Sequence, residues 1–104
     1  MGHTMPQDEA QAVTVVVPSL LAKVMGDRRE LSVPVDGAGT VAGVLDRLAA
    51  DYPVFDRRVR NELGEIRRYV NLYVDGDDIR GLDGTGTKVR PGQELLIIQS
   101  VAGG

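Results

Sequence analysis

The chain has 104 residues and a mass of 11.2 kDa, the size of one small domain. Apolar residues make up 42% of it and charged residues 26%, proportions typical of a globular protein. The lack of cysteine excludes disulfides, thiolate metal sites and cysteine nucleophiles. A single histidine, His3, argues against a histidine-based catalytic or metal site. We therefore expect a protein that is not an enzyme and that binds no metal or cofactor.

The net charge is −3, from 15 acidic and 12 basic residues, which disfavours nucleic-acid binding. No apolar run reaches the roughly 18 residues that a membrane-spanning helix requires, and the amino terminus lacks the pattern of a signal peptide. We expect a cytoplasmic protein that does not bind a membrane and is a monomer on its own.

The amino-terminal third predicts a leader followed by a β-hairpin. Residues 1–11 are polar and without periodicity, so they are expected to form a disordered leader. Val13–Val17 is rich in β-branched residues and ends at Pro18, which predicts the first strand. Leu31–Val35 has apolar residues at alternate positions and predicts a second strand, with Pro34 at an edge or at the end of pairing.

An amphipathic helix is expected after Thr40, which is a suitable amino-terminal cap. Its apolar positions follow helical spacing and are Val41, Val44, Leu45, Leu48 and Tyr52. Pro53 should end this helix, because the residue before a proline disfavours the α conformation. Phe55 and Val59 then predict a short second helix, followed by a loop.

The next segment predicts a third strand and a tight turn. Tyr69–Val74 alternates in the manner of a strand and leads into Asp75-Gly76, a dipeptide suited to a turn with positive φ. Asp77–Arg80 is a candidate for a brief return strand. The glycine-rich stretch 81–86 is expected to be a flexible connector.

Leu95–Ile98 is apolar on both faces, as is typical of a central strand, and it follows a turn at Pro91-Gly92. The order of elements predicts an α+β roll over residues 12–100, a mixed sheet with one main helix packed across one face. Residues 101–104 are expected to form a flexible tail.

The last residues, Val101, Ala102, Gly103 and Gly104, carry the chemistry of this chain. Glycines without side chains give an extended tail and an unhindered carboxylate, and such a tail can enter a narrow site of a partner enzyme. If the partner converts that carboxylate to an acyl adenylate, the tail becomes open to nucleophiles such as sulfide or an amine. The chain would then act as a carrier.

The sequence resembles the ubiquitin-like sulfur carriers of the MoaD/ThiS family, and most closely their CysO-like members. The resemblance spans about Val13 to Gly104 and depends on several segments in order. These are the Val-rich strand ending at Pro18, the helix from Thr40 to Pro53, Arg68–Arg80, Pro91–Glu94, and Val101–Gly104. At Gln99-Ser100 the chain departs from a Pro-Ala-like pair that often precedes the tail in this family.

The resemblance implies a β-grasp (ubiquitin-like) fold and a functional role for the terminal residue. Gly104 would be adenylated, at the expense of ATP, by an E1-like activating enzyme of the MoeB/ThiF type, and then converted to a thiocarboxylate. Residues 101–103 would be threaded into partner active sites. A downstream synthase would accept the sulfur for cysteine, molybdopterin or a thiolated secondary metabolite such as a thiosugar.

Two other functions use the same fold. A ubiquitin-like modifier would be joined to target lysines through Gly104, with the same activation. A plain β-grasp interaction domain would not need its tail.

A partner-docking surface is also expected, because a β-grasp sheet has its helix on only one face. Tyr69, Tyr73, Leu96 and Ile98 are the candidates for an exposed apolar patch on the other face. The alternative is that the loop after the helix covers them.

Overall fold

The computed structural model of the chain describes residues 11–35 and 39–100. Its helices are α1 (Ser19–Ala22), α2 (Val41–Asp51) and α3 (Pro53–Val59). Its strands are β1 (Ala12–Val16), β2 (Glu30–Pro34), β3 (Gly39–Thr40), β4 (Val70–Val74), β5 (Asp77–Asp78), β6 (Lys88–Val89) and β7 (Glu94–Gln99). The predicted leader, apart from Gln11, and the predicted tail lie outside the described residues.

The main sheet has five strands in the order β2-β1-β7-β4-β5. β1 pairs antiparallel with β2 and parallel with β7, and β4 pairs antiparallel with both β7 and β5. The mixed sheet, the hairpin and the central position of the Leu95–Ile98 strand are therefore confirmed. Pro34 is the last residue of the edge strand β2, where its missing N–H costs no ladder hydrogen bond.

One face of the sheet packs against the helices and forms the core. The helix α2 begins after Thr40, whose hydroxyl oxygen accepts a hydrogen bond from the N–H of Gly43 at 3.1 Å. The apolar face of α2 is buried, as its spacing predicts: Val41, Val44, Leu45 and Leu48. Against it pack the inward residues of the strands, among them Val13, Val15, Leu31, Val33, Leu72, Leu95 and Ile97. The predicted packing of one main helix across one face is confirmed.

The turn between β4 and β5 has the predicted positive φ angles, +48° at Asp75 and +91° at Gly76. The carboxylate of Asp75 accepts hydrogen bonds from the backbone N–H of Glu94 at 2.9 Å and from Nε2 of Gln93 at 3.0 Å. This turn is thereby fixed to the start of the central strand. The carboxylate of Asp75 therefore has a structural role.

Two parts of the chain differ from the sequence-based expectation. The return strand stops after Asp77–Asp78, and the glycine-rich stretch contributes to two 3-10 turns, Ile79–Gly81 and Gly84–Gly86, where a flexible connector was expected. Buried Ile79 anchors the first turn to the core. In addition, β3 pairs antiparallel with β6 in a separate two-stranded sheet that the sequence does not indicate.

Candidate functional site at the end of the central strand

The predicted reactive tail begins where the central strand ends. β7 remains paired with β4 through Gln99, which lies opposite Val70. The N–H of Ser100 then donates a hydrogen bond to the carbonyl of Tyr69 at 2.8 Å. Gly104 and residues 101–103, on which the predicted chemistry depends, lie outside the described residues. The described chain therefore ends in an ordered strand four positions before Gly104.

Gln99 is a polar residue at the base of this tail that the sequence analysis gave no role. It follows Leu95 and Ile97 on the inward side of β7. Its Oε1 atom is buried and accepts no hydrogen bond from any described residue. An unsatisfied buried acceptor is unfavourable by about 1–3 kcal/mol. Among the described residues, Gln99 thus places an unpaired acceptor at the base of the predicted tail.

The outer face of the sheet carries a row of apolar side chains. Leu96 on β7 lies beside Val16 of β1 and Tyr73 of β4 in the strand register. The adjacent Ile98 is 42% exposed, whereas Leu95 and Ile97, which alternate with these residues, are 0% and 1% exposed. We call Val16, Tyr73, Leu96 and Ile98 the open-face patch. Such a surface is suited to contact with another protein.

Three of the four residues predicted for a docking surface, Tyr73, Leu96 and Ile98, are brought together in the open-face patch. Tyr69 differs, because it is half-buried and packs against the core. Val16 was missed, although alternation along β1 places it opposite in direction to Val13 and Val15. The alternative expectation was that the segment after the main helix covers the outer face. In the described part of the chain, α3 follows that helix, and its buried residues belong to the core on the inner face.

Charged side chains form ion pairs in two places, one at the edge of the sheet and one beside the helices. Next to the turn at the sheet edge, Nη2 of Arg80 lies 2.7 Å from Oδ2 of Asp78, and this hydrogen bond holds the pKa of the carboxyl below its ordinary value of 3.8. On the helical side, Arg60 pairs with Asp56 of α3 at 2.7 Å and with Asp46 of α2 at 2.9 Å. Burial by itself would lower the pKa of Arg60, but the hydrogen bonds to the two aspartates raise it overall. Arg60 and Arg80 are thus held by aspartates, which gives these charged side chains a structural role.

Over residues 11–35 and 39–100, no three histidine, aspartate or glutamate side chains come close enough together to hold a metal ion. The longest helix in the same ranges has 11 residues. None of the helices described there is long and apolar enough to cross a membrane.

The chain was compared with known proteins. Residues 20–104 match the ThiS family. The sulfur carrier protein CysO of Mycobacterium tuberculosis is 32% identical over 94 residues, which are 88% of this chain and 98% of that protein. Small archaeal modifier protein 1 of Haloferax volcanii is 33% identical over 84 residues, which are 81% of this chain and 91% of that protein.

The solved structures that resemble this chain include proteins of the same two kinds. The crystal structure of the Haloferax volcanii modifier has a TM-score of 0.76 and 30% identity, and the match covers 89% of this chain and 99% of that chain. A chain from the Amycolatopsis orientalis BexX/CysO complex has a TM-score of 0.71 and 32% identity, with 89% and 100% covered. The β-grasp, ubiquitin-like fold is thereby confirmed. Because the family match covers most of the sequence and continues through its diglycine, this chain belongs to the ThiS family, with CysO-like proteins among its relatives.

Proposed function

We propose that this chain is a sulfur carrier protein whose working group is the carboxylate of Gly104. The observation that carries the proposal is the family match, which continues through Gly104, combined with the position of the tail directly after the central strand. The curated relative CysO, which is similar over nearly its whole length, is itself a sulfur carrier.

The proposed chemistry uses the backbone terminus. The carboxylate oxygen of Gly104 attacks the α-phosphorus of ATP in an E1-like activating enzyme of the MoeB/ThiF type, and pyrophosphate leaves. Sulfide then attacks the acyl carbon, and AMP leaves with the oxygen it received. The product is a thiocarboxylate at Gly104. The catalytic groups belong to the partner, so the chain itself acts as a carrier and not as an enzyme.

Glycine at the last two positions is suited to this role. A residue without Cβ lets backbone pass through a site too narrow for a side chain, and it leaves the carboxylate unhindered. The ordered pairing up to Ser100 supports the same view, since it fixes the starting point of a short tail. Val101, Ala102 and Gly103 would lie in the entry channel of the partner.

The open-face patch is the proposed contact with the activating enzyme and with the synthase that accepts the sulfur. Its exposed Ile98 lies on the strand that leads into the tail, so a protein bound there can also reach Gly104. The sulfur would be delivered to the synthesis of cysteine, molybdopterin or a thiolated secondary metabolite such as a thiosugar. An acceptor enzyme is the expected second partner.

Intact-mass measurement tests the proposal directly. The chain is incubated with ATP, an activating enzyme of the MoeB/ThiF type and sulfide, and we expect the mass increase of one oxygen-to-sulfur exchange at the terminal residue. An extra alanine after Gly104 should abolish the exchange, because it moves the carboxylate. Gly103→Val should slow it severely. Gly86→Val is a matched control, since an added side chain there meets no atom within 4 Å.

Two outcomes would contradict the carrier mechanism. One is an extended chain that still gains sulfur, and the other is sulfur located in a fragment that lacks Gly104.

A protein modifier joined to lysines through Gly104 is the second candidate, favoured by the similarity to small archaeal modifier protein 1. An antibody against the chain distinguishes the two functions in a cell lysate. A ladder of high-mass conjugates that disappears when Gly104 is removed supports the modifier. A free thiocarboxylate without a ladder supports the carrier.

A further inference from the structure

A groove of about 580 Å³ lies at the edge of the sheet, and none of the four residues of the open-face patch lines it. It is bounded by the loop after α3, by β4 and by the two 3-10 turns. β5 pairs only with Tyr73 and Val74 of β4, and the N–H of Val70 donates to the carbonyl of Arg67 at 3.0 Å, so in the described structure no strand covers Asn71 and Leu72 on this side. We call this cavity the edge groove. An uncovered strand edge accepts an extended chain more readily than a helix.

A rigid loop presents an apolar side chain at the rim of the edge groove. Leu63 is 82% exposed, the most exposed of the large apolar residues described. Its loop is held by Asn61, whose Oδ1 accepts hydrogen bonds from the N–H groups of Leu63 and Glu65, each at 2.9 Å. Gly64 supplies the positive φ, +81°, that the turn requires. Because the loop is already ordered, a partner that covers Leu63 loses little entropy in fixing it.

The groove is lined by three basic residues, Arg67, Arg68 and Arg80, and by two acidic ones, Glu65 and Asp78, so its net charge is positive although the protein as a whole has a net charge of −3. Arg67 donates from Nε to the carbonyl of Arg57 at 2.7 Å, which fixes its guanidinium without neutralising it. Arg68 is exposed and makes no salt bridge within the described residues. Of the groove's three arginines only Arg80 is paired with a carboxylate, that of Asp78. The local charge therefore favours an acidic ligand.

We propose that the edge groove docks an extended acidic segment of a partner protein, with a large apolar side chain against Leu63 and carboxylates beside Arg67 and Arg68. The uncovered edge of β4 accounts for the extended form, and the unpaired guanidinium groups account for the acidic character. The groove adjoins Tyr69, whose carbonyl holds Ser100, so a partner bound here is also close to the start of the tail. Binding in the groove does not require any chemistry at Gly104.

An NMR titration of the isotope-labelled full chain tests the proposal with an acetylated and amidated heptapeptide, Gly-Asp-Leu-Asp-Leu-Glu-Gly. We expect shift changes at the amides of Leu63, Ile66 and Leu72. The same peptide with lysine at its three acidic positions should leave these amides unchanged. The acidic peptide should bind at least about fivefold more weakly to Arg68→Glu and to Leu63→Asp.

Matched controls separate the groove from general charge and hydrophobicity. Arg58→Glu makes the same charge change at an exposed arginine outside the groove, and Leu20→Asp changes a leucine that is 52% exposed on α1. Both should bind the acidic peptide like the unaltered chain. Thermal unfolding should show that all four variants remain folded.

Several results would overturn the proposal. They are the absence of any shift with acidic peptide up to about 1 mM, equal affinity of Arg68→Glu and Arg58→Glu, and shifts confined to Tyr73 and Leu96 on the open face. Shifts in the groove that grow with protein concentration in the absence of peptide would assign it to a second copy of the chain, which also contradicts an acidic partner.

Discussion

The N–H of Ser100 donates a hydrogen bond to the carbonyl of Tyr69 at 2.8 Å, one position beyond the last strand residue of β7. This bond extends the pairing with β4 to the last described residue. Every strand and core contact described above lies at or before it. We expect that the fold and the predicted tail can be altered separately.

Deleting Gly103 and Gly104 should leave stability nearly unchanged and abolish sulfur transfer. Neither residue has a side chain to bury, so the free energy of unfolding should change by no more than about 0.5 kcal/mol. Chemical denaturation measures the first effect and intact mass the second. A large fall in the unfolding midpoint would mean that the tail is part of the folded structure.

Leu45→Ala should destabilise the protein by about 2–5 kcal/mol, because it opens a cavity under α2. Leu45 is fully buried between the helix and the sheet, with 0% of its surface exposed. Leu82→Ala is the matched control, since Leu82 is 47% exposed and should tolerate the same change. Equal midpoints for the two variants in urea would show that the core face of α2 is wrongly assigned.

The ion pairs of Arg60 should differ in strength, because their carboxylates differ in exposure. The side chain of Asp56 is 29% exposed and that of Asp46 is 70% exposed. A double-mutant cycle with Arg60→Gln should give a coupling free energy of about 1 kcal/mol for Asp56 and less for Asp46. Added salt should reduce the coupling to Asp46 more strongly. A larger coupling to Asp46 than to Asp56 is the result that would contradict this ranking.

The carboxyl of Asp78 should titrate below its ordinary pKa of 3.8, because Arg80 donates hydrogen bonds to it. A pKa lowered by folding stabilises the protein above the unfolded value, and this contribution is lost as the pH falls through the folded value. NMR titration of the side-chain carboxyl should show a higher pKa in Arg80→Gln. The stability difference between that variant and the unaltered chain should disappear in acid. An unchanged pKa for Asp78 in the variant would rule out this pairing in solution.

The sequence predicts those parts of the fold in which a periodic pattern is long enough to recognise. Five apolar positions at helical spacing predict α2, and the apolar character of Leu95–Ile98 on both sides predicts the central strand. The two-residue strands β3 and β6 carry no such pattern. Their pairing depends on tertiary position, namely where α2 begins relative to the chain entering β7. Short elements of this kind cannot be inferred from local sequence.

The candidate site has two parts, the tail and the open-face patch, and the sequence predicts the first more fully than the second. The diglycine and the family resemblance predict the tail from the sequence alone, and this stays a prediction because residues 101–104 lie outside the described residues. The open-face patch required the strand register, because only the pairing of Leu96 with Val16 and Tyr73 shows which side chains are neighbours. Alternation predicts that Tyr69 lies on the open face, but its packing against the core at the end of the strand overrides that pattern. The edge groove is formed by the loop after α3, by β4 and by the two 3-10 turns, and it has no signature in the sequence.

The central position of β7 has a mechanical consequence. On one side β7 pairs with three residues of β1, and on the other with five residues of β4. Tension applied at Ser100 acts along the strand, whereas the ladder hydrogen bonds lie across it, so both ladders are loaded in shear at the same time. Force applied across the sheet would instead open the ladders one hydrogen bond after another. If the proposed function is right and a partner enzyme draws the tail into a narrow channel, we expect the sheet to withstand the tension.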